Sequence, residues 1–249
     1  IPMHISKTTL HFLIATNILS SLIILGLIFS NFQEDEEKAV IEAERINIVN
    51  EDGTLVMAIA NKQRIAAPRM EGKAYPVDMI ERQHFAGIIF FNEEGNEIGG
   101  LVYNSKDLDD GRKFGSGHLS FDRHRDNQVS NLEHKENIHG LVKSGLSIYD
   151  RKGDGSLKKN LDLMEEYRYA DISEERNKEI IAEIREMKAR GDLGSERLFL
   201  GSNNEIPQLS LKDNQGKERI KVFVDSLNRA HIHFFDEEGE IIEAFPPLN

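Results

Sequence analysis

The sequence contains no cysteine and no tryptophan, and its aromatic residues are few. Without cysteine the chain of 249 residues can form neither disulfides nor thiolate metal sites, although this absence does not identify the compartment. Aromatic residues make up 7% of the chain, which leaves little material for the stacking surfaces of carbohydrate-binding modules. An adhesin of that kind therefore ranks last among the functional classes considered.

Basic residues are also in short supply, with 31 lysines and arginines against 43 aspartates and glutamates. Residues 1–32 contain Lys7 as their one formal charge, so the net charge of −12 leaves −12 − 1 = −13 on the rest. An acidic surface repels phosphate backbones, and no stripe of basic residues interrupts it, so the sequence argues against nucleic-acid binding.

Motifs that identify common enzymes and cofactor sites are missing too. The chain has no Walker loop, no GxGxxG, no GxSxG and no HExxH pattern. We therefore predict no cofactor, and the sequence offers no complete catalytic constellation.

One long hydrophobic run is present, Leu10–Phe29, and it contains no formal charge over 20 residues. A helix of that length spans about 30 Å, the thickness of the hydrocarbon core of a bilayer. A cleaved signal peptide is the alternative, but its apolar region is usually shorter, and Ser30–Phe32 is a poor cleavage site. The sequence thus predicts an N-terminal tail and a retained transmembrane helix over residues 1–32.

Charges flanking this run predict its orientation. Lys7 precedes it and the acidic stretch Glu34–Glu37 follows it, so the N-terminus is expected in the cytoplasm and residues 33–249 in the periplasm or outside the cell. Met3 is a candidate initiator, and whether the two residues before it are native stays open.

Polar residues within the run predict contact between membrane helices. Asn17 and Ser21 share one helix face, and polar groups in lipid are costly unless they are partnered. Serine and threonine can satisfy themselves on their own backbone, whereas asparagine does so less readily. Helix-forming residues after the run predict a short helical stalk over residues 33–44.

The stretch Gly87–Tyr103 contains the unit from which the remainder is built: an apolar run, a turn and a second apolar run. Its turn, Asn92–Gly95, suits a type I turn that ends with glycine in the left-handed region. The same pattern recurs at Asn50–Gly53, Asp213–Gly216 and Asp236–Gly239, and Asp225–Asn228 is a variant with asparagine in the last place.

Apolar residues alternate with polar ones on both sides of these turns, which is typical of strands with one buried face. We therefore predict a mainly β ectodomain over residues 45–249, made of antiparallel hairpins and a meander in a sandwich or barrel-like arrangement, and the sequence leaves open whether the sheet closes. Residues of about 157–191 are predicted to form a helical insert, whose second helix opens with the capping box Asp171–Glu174. The polar, glycine-rich stretch Asn104–Gly117 is expected to be a loop.

The order of these segments resembles a bacterial family of β-hairpin-repeat proteins to which no activity is assigned. The resemblance covers Glu44–Pro246 and rests on ERINIVNEDGTL, GIIFFNEEGNEIGGLVY, LSFDRHRDNQV, RLFLGSNN and the final meander. It implies a bacterial ectodomain of one conserved plan behind an N-terminal anchor. It transfers no catalytic residue, although the Asp-rich run Asp122–Gln128 matches a similar run in those proteins.

Two groups of residues are candidates for chemistry. Asp122, His124 and Asp126 offer two carboxylates and an imidazole, the groups that general acid–base catalysis needs. A hydrogen-bonded cluster with a purely structural role is the alternative for these three residues.

The second candidate group is His231 and His233, which share one face of a strand and could ligate a metal if His118 or His124 completed the set. Their alternative role is that of polar partners on a solvent-facing strand. Asp107–Gly111 resembles a calcium loop but misses the EF-hand spacing.

The interpretation that the sequence favours is a single-pass, membrane-anchored structural or interaction protein, an oligomeric scaffold or an accessory subunit of a membrane complex. Its expected partners are the bilayer, through residues 10–29, and either a second copy or another membrane protein. The alternative is an envelope hydrolase or ligand-binding enzyme that uses Asp122, His124 and Asp126.

Overall fold

The computed structural model describes residues 6–30 and 40–247, with side chains described at all of these except 28–30. Its internal contacts divide the chain into two units, Ile1–Glu42 and Ala43–Asn249.

The first unit contains helix α1, Lys7–Ser30. Its segment Lys7–Leu27 has a mean hydropathy of 2.0 and is long and apolar enough to cross a membrane. Most of the predicted stalk lies outside the described residues, and residues 40–44, which are described, are not helical. The helical composition there does not produce a helix next to the first strand.

The second unit is built on one antiparallel sheet of twelve strands. The strands in chain order are β1 (Arg45–Val49), β2 (Leu55–Ala60), β3 (Arg69–Met70), β4 (Lys73–Ala74), β5 (Ala86–Phe91), β6 (Glu97–Asp107), β7 (Lys113–Asp122), β8 (Gln128–Glu136), β9 (Val142–Asp150), β10 (Ser195–Asn203), β11 (Ile206–Lys212), β12 (Glu218–Val224), β13 (Ala230–Phe235) and β14 (Ile241–Phe245). Short strands β3 and β4 pair with each other, and the other twelve follow one another across the sheet.

This order confirms the predicted mainly β meander. The sheet is open, because β1 and β14 lie at its two ends and do not pair with each other. The sequence left the closure of the sheet open, and the structure shows that the twelve strands form one open sheet rather than a barrel.

The turns confirm the predicted chemistry. At the β11–β12 turn the Asp213 carboxylate accepts the backbone N–H groups of Gln215, at 2.9 Å, and Lys217, at 3.0 Å. The last turn residue adopts a positive φ, +80° at Gly216 and +61° at Asn228 in the variant turn. The same carboxylate or amide bonds hold the turns that begin at Asn92, Asp225 and Asp236.

One predicted loop is wrong. Most of Asn104–Gly117 belongs to the paired strands β6 and β7, and the turn between them is confined to residues 108–112. Asn104 pairs with Ser116, and Lys106 with Phe114. The hairpin continues into this polar sequence because strands pair through backbone hydrogen bonds. These bonds do not require apolar side chains once the preceding residues have set the register.

The helical insert is confirmed as α2, Ser156–Tyr169, and α3, Glu174–Ala189. Ser173 caps α3 by accepting the backbone N–H of Arg176 at 3.1 Å. The two helices pack through Leu163, Ile180 and Met187.

One face of the sheet is covered by residues 61–85, which include three short 3₁₀ helices, and by α2. Under this cover lie two apolar clusters. The first contains Ala58, Ile65, Ala66, Ile89, Phe91 and Val102. The second contains Met70, Tyr75, Met79 and Leu161, and it joins the covering segment to α2.

Candidate functional site

The other face of the sheet carries an unbroken row of apolar side chains, one from each of its twelve strands. The register of the strand pairs aligns Ile46, Ile59, Ile88, Leu101, Leu119, Leu132, Leu146, Leu200, Leu209, Val222, Ile232 and Phe245. The strand period of two keeps every second side chain on one face, so the alternating patterns of separate hairpins add up to one continuous stripe.

A second row lies two residues further along each strand on the same face. It aligns Ile48, Met57, Phe90, Gly99, Phe121, Ser130, Ile148, Leu198, Leu211, Ile220, Phe234 and Glu243. Glu243, on the last strand, is the one charged residue in the two rows, which we call the apolar band.

Several members of the apolar band are exposed in the unit that contains the sheet. The exposed fraction is 58% at Leu132, 54% at Phe121 and 53% at Leu200. Eleven strand spacings and two rows give the band a footprint of about 700 Å². Monomeric proteins rarely expose a contiguous apolar patch of that size unless it has a function.

The covered face contains a cleft of about 420 Å³ between strands β5–β8, the covering segment and α2. Alternate side chains of β7 and β8 form its polar floor: Ser116, His118, Ser120, Asp122, Asn131, Glu133 and Lys135. Apolar side chains from the covering segment, the sheet and α2 form its walls: Met70, Ile80, Phe85, Ile89, Val102, Leu157 and Leu161.

Two floor residues have a buried oxygen without a hydrogen-bond partner among the described residues, Asp122 and Asn131. Asn131 is 5% exposed. The pKa of Asp122 is raised to about 7, mainly by burial and next by the nearby Glu97 carboxylate, against the opposite effect of Arg82. An acceptor left unpaired in the interior costs about 1–3 kcal/mol, so both oxygens need a donor.

The remaining charges of the floor are compensated by neighbours. Glu133 lies 2.7 Å from Lys135 Nζ and 3.0 Å from Lys143 Nζ. Burial would raise the pKa of Glu133, but these two ammonium groups outweigh it and lower the pKa. Burial also lowers the pKa of His118, which favours its neutral form.

The wall contributes a buried, bidentate ion pair. Arg82 donates to the two carboxylate oxygens of Glu97 at 2.6 and 2.8 Å, and its side chain is 11% exposed. A third bond from Arg82 reaches the carbonyl of Ala66 in the covering segment at 3.2 Å. The pair thereby attaches the cover to strand β6.

The first predicted group of catalytic residues is divided by the structure. Asp122 and Asp126 both line the cleft, whereas His124 is exposed in the β7–β8 turn and is not part of the lining. Asp126 accepts the backbone N–H groups of Asn127 and Gly153, each at 2.7 Å. Asp126 thus ties this turn to the segment before α2, which is the structural role named as its alternative.

The predicted histidine pair shares one face of β13, with ring centroids 5.7 Å apart. His231 Nε2 lies 2.9 Å from the Asp225 carboxylate, and the ring stacks on Phe223 at 4.9 Å. His118 lies on β7, six strands away, which is about 29 Å along the sheet. Within the described residues no group of three ligand side chains could hold a metal.

In the membrane-helix candidate, the Asn17 amide donates to the carbonyl of Leu13 at 2.9 Å, one turn back in its own helix. This donor is therefore satisfied without a partner helix. The predicted helix contact through Asn17 and Ser21 stays a prediction.

Sequence analysis missed Asn131 and Glu133 on the cleft floor. The signal for both was the alternation in Gln128–Glu136, which puts Asn131, Glu133 and Lys135 on one face of β8. Comparison with protein-family models and with curated protein sequences finds no match to this chain. The resemblance to hairpin-repeat proteins thus stays a prediction.

Proposed function

We propose that this chain is a single-pass, membrane-anchored scaffold that associates with a second copy of itself through the apolar band. The observation that carries the proposal is the band itself, twelve strands wide and exposed in the unit that contains the sheet. Burial of apolar surface is the main favourable contribution to association, and Glu243 is the one charged residue in the band.

The size of the band fits a dimer. Its footprint of about 700 Å² per copy is close to the roughly 800 Å² per partner of a standard stable interface. Two sheets packed through such faces form a sandwich with a core about 10 Å thick. The sandwich expected within one chain would then form between two chains.

Charge also favours a copy over an anionic lipid surface. The chain outside residues 1–32 carries a net charge of −13, which anionic lipid headgroups would repel. Two copies that meet through the band keep their acidic surfaces apart, because only Glu243 at its margin is charged.

A two-fold axis along the membrane normal would leave both N-terminal helices in the same bilayer. We place the N-terminus in the cytoplasm and residues 33–249 in the periplasm or outside the cell, on the basis of Lys7 and the acidic stretch after the helix. Contact between two copies of α1 through Asn17 and Ser21 would add to the association.

The test uses the full-length protein, extracted gently from its membrane and measured by mass photometry and native mass spectrometry. We expect a dimer. Leu132→Glu lies on β8, at the centre of the band, and Leu200→Glu lies two strands further along. Each should give monomers, because association would bury an unpaired carboxylate in the interface.

Leu227→Glu is the matched control, since Leu227 is 68% exposed in the turn between β12 and β13 and lies outside the band. This variant should remain dimeric. A monomeric wild type, or dimers that survive both band substitutions, would overturn the proposal. A different co-purifying subunit released by Leu132→Glu would instead make the chain an accessory subunit.

A further inference from the structure

We propose that the cleft on the covered face is a binding site for a small organic ammonium ion with an apolar body, held by Asp122 and Asn131. The cleft lies on the face opposite the apolar band, so this inference does not depend on the proposed self-association.

The size and walls of the cleft define the body of the ligand. A volume of about 420 Å³ is within the range of small-molecule sites. Met70, Phe85 and Leu161 come from three different elements, the β3 strand, the end of the cover and α2, and they face the polar floor. An aromatic or branched aliphatic group fits this combination of apolar walls, whereas a sugar would leave its hydroxyls against them.

The floor defines the head group. The oxygens of Asp122 and Asn131 that have no partner are both acceptors, so they require a donor from the ligand. An ammonium group carries three N–H donors. Asn131 pairs with Ser120, two residues before Asp122, so the two acceptors are diagonal neighbours on one face of the sheet. The ammonium group also supplies a direct ionic partner for Asp122, because Arg82 and Arg151 act on this carboxylate through space and form no ion pair with it among the described residues.

The cationic groups on the floor and on the wall beside it, Lys135 and Arg82, are already engaged, which argues against an anionic ligand, whereas Arg69 lines the cleft from an exposed position in the covering segment. Arg82 is bound bidentately by Glu97, and Lys135 lies 2.7 Å from the Glu133 carboxylate. An anion would have to displace one of these partners and would also meet Asp122. The cleft therefore selects positive charge, and Asp122 is the group that recognises it.

Isothermal titration calorimetry at pH 8 on the full-length protein in a non-ionic detergent tests the site. The probes are benzylamine and cyclohexylamine, and the matched controls are benzyl alcohol and benzoate, which keep the ring and change the head group. We expect both amines to bind with one site per chain, and both controls to bind at least tenfold more weakly.

Asp122→Asn keeps the shape of the side chain but removes its charge, and it should weaken amine binding at least tenfold. Asn131→Ala should weaken it several-fold. Asp109→Asn, at an exposed position in the β6–β7 turn, should leave binding unchanged. Melting curves by circular dichroism verify that each variant is folded.

Absence of binding by both amines would overturn the inference, as would amine binding that Asp122→Asn leaves intact. Benzyl alcohol bound as tightly as benzylamine would show a purely apolar pocket and would equally overturn it. Failure of this test would leave the dimer of the proposed function untouched, because the dimer is measured by mass and through Leu132 and Leu200.

Discussion

The Tyr75 hydroxyl donates a hydrogen bond of 2.9 Å to Asp162 Oδ1, across 87 residues of sequence. Tyr75 lies just after β4 in the covering segment, and Asp162 lies on α2. The same carboxylate also accepts from Lys73 at 2.8 Å and from Lys158 at 2.6 Å. This cluster attaches the helical insert to the covering segment. The covering segment and α2 together form the side of the cleft that faces the sheet.

Tyr75→Phe should therefore lower the free energy of unfolding by about 1.5–3 kcal/mol, since it removes a hydrogen bond to a charged group while keeping the buried ring. Urea unfolding of the full-length protein in detergent, followed by circular dichroism, measures the change. Tyr103→Phe is the control, because Tyr103 is 60% exposed and its hydroxyl should contribute nothing measurable. Equal losses for the two variants would contradict the role given to Asp162.

The Arg82–Glu97 pair provides a second test of how the cover is attached. Glu97→Gln should cost about 3–5 kcal/mol of unfolding free energy, because it leaves the Arg82 guanidinium buried without its counter-charge. Asp110→Asn weakens the exposed pair with Arg112, whose side chain is 47% exposed, and should cost less than about 1 kcal/mol. The difference between the two variants in one unfolding series is the measurement. A small loss for Glu97→Gln would mean that water reaches Arg82.

Turn chemistry is the part of this fold that sequence predicts best, because it is local. The carboxylates of Asp213 and Asp225 each stabilise the turn that they begin, by accepting the backbone N–H groups of the residues two and four positions ahead. In the turn Asn137–Gly140 the Asn137 side-chain oxygen likewise accepts the backbone N–H groups of His139 and Leu141, so the turn motif could have been found in the sequence. Strand length was less predictable, since β6 and β7 extend into polar sequence through pairing with each other.

The choice of which face is covered could not be predicted from the strands. On β7 the polar residues Ser120 and Asp122 lie under the cover, while Phe121 between them is 54% exposed. A strand that alternates polar and apolar residues is normally expected to bury its apolar side. The cover and α2 come from distant parts of the chain, so the position of the cleft depends on tertiary packing rather than on local pattern.

Close backbone approach explains a glycine in the middle of the sheet. A Cβ atom at Gly145 on β9 would lie 2.5 Å from the Leu200 carbonyl oxygen and 2.7 Å from Cε2 of Phe199. Phe199 is 2% exposed and lies under Lys143, whose Nζ is 4.5 Å from the ring centroid. Gly145 therefore leaves the space that the ring occupies.

Gly145→Ala should destabilise the protein by about 1–3 kcal/mol, because the ring and the neighbouring strand must shift. Gly117→Ala on β7 is the matched control, since its Cβ would make ordinary contacts, 3.4 Å from the Val102 carbonyl oxygen and 3.5 Å from Cβ of Tyr103. Thermal melting of both variants under the same conditions compares them. Similar melting temperatures for the two variants would show that β9 and β10 adjust without cost.

Asp122 should make stability depend on pH in a direction opposite to that of an ordinary paired carboxylate. Its pKa is about 7 in the folded protein against a usual value of 3.8. Between these pH values the folded state keeps a proton that the unfolded state has released. The contribution of Asp122 to the free energy of unfolding therefore falls as pH rises from 4 to 7 and is constant above about pH 8.

The groups that act on Asp122 come from four other places: Glu97 on β6, Arg82 in the cover, Arg151 after β9 and Asp126 in the turn.

Asp122→Asn removes the titration and keeps the shape, so the variant should gain stability relative to the wild type as pH rises. The gain between pH 4 and pH 8 should approach about 4 kcal/mol, from roughly three pH units at about 1.4 kcal/mol each. Urea unfolding at a series of pH values measures this difference in unfolding free energy between variant and wild type. For the control Asp109→Asn, the difference from the wild type should not change with pH. Parallel curves for wild type and Asp122→Asn would show that Asp122 ionises in the folded protein as it does in water, and that the cleft is wet.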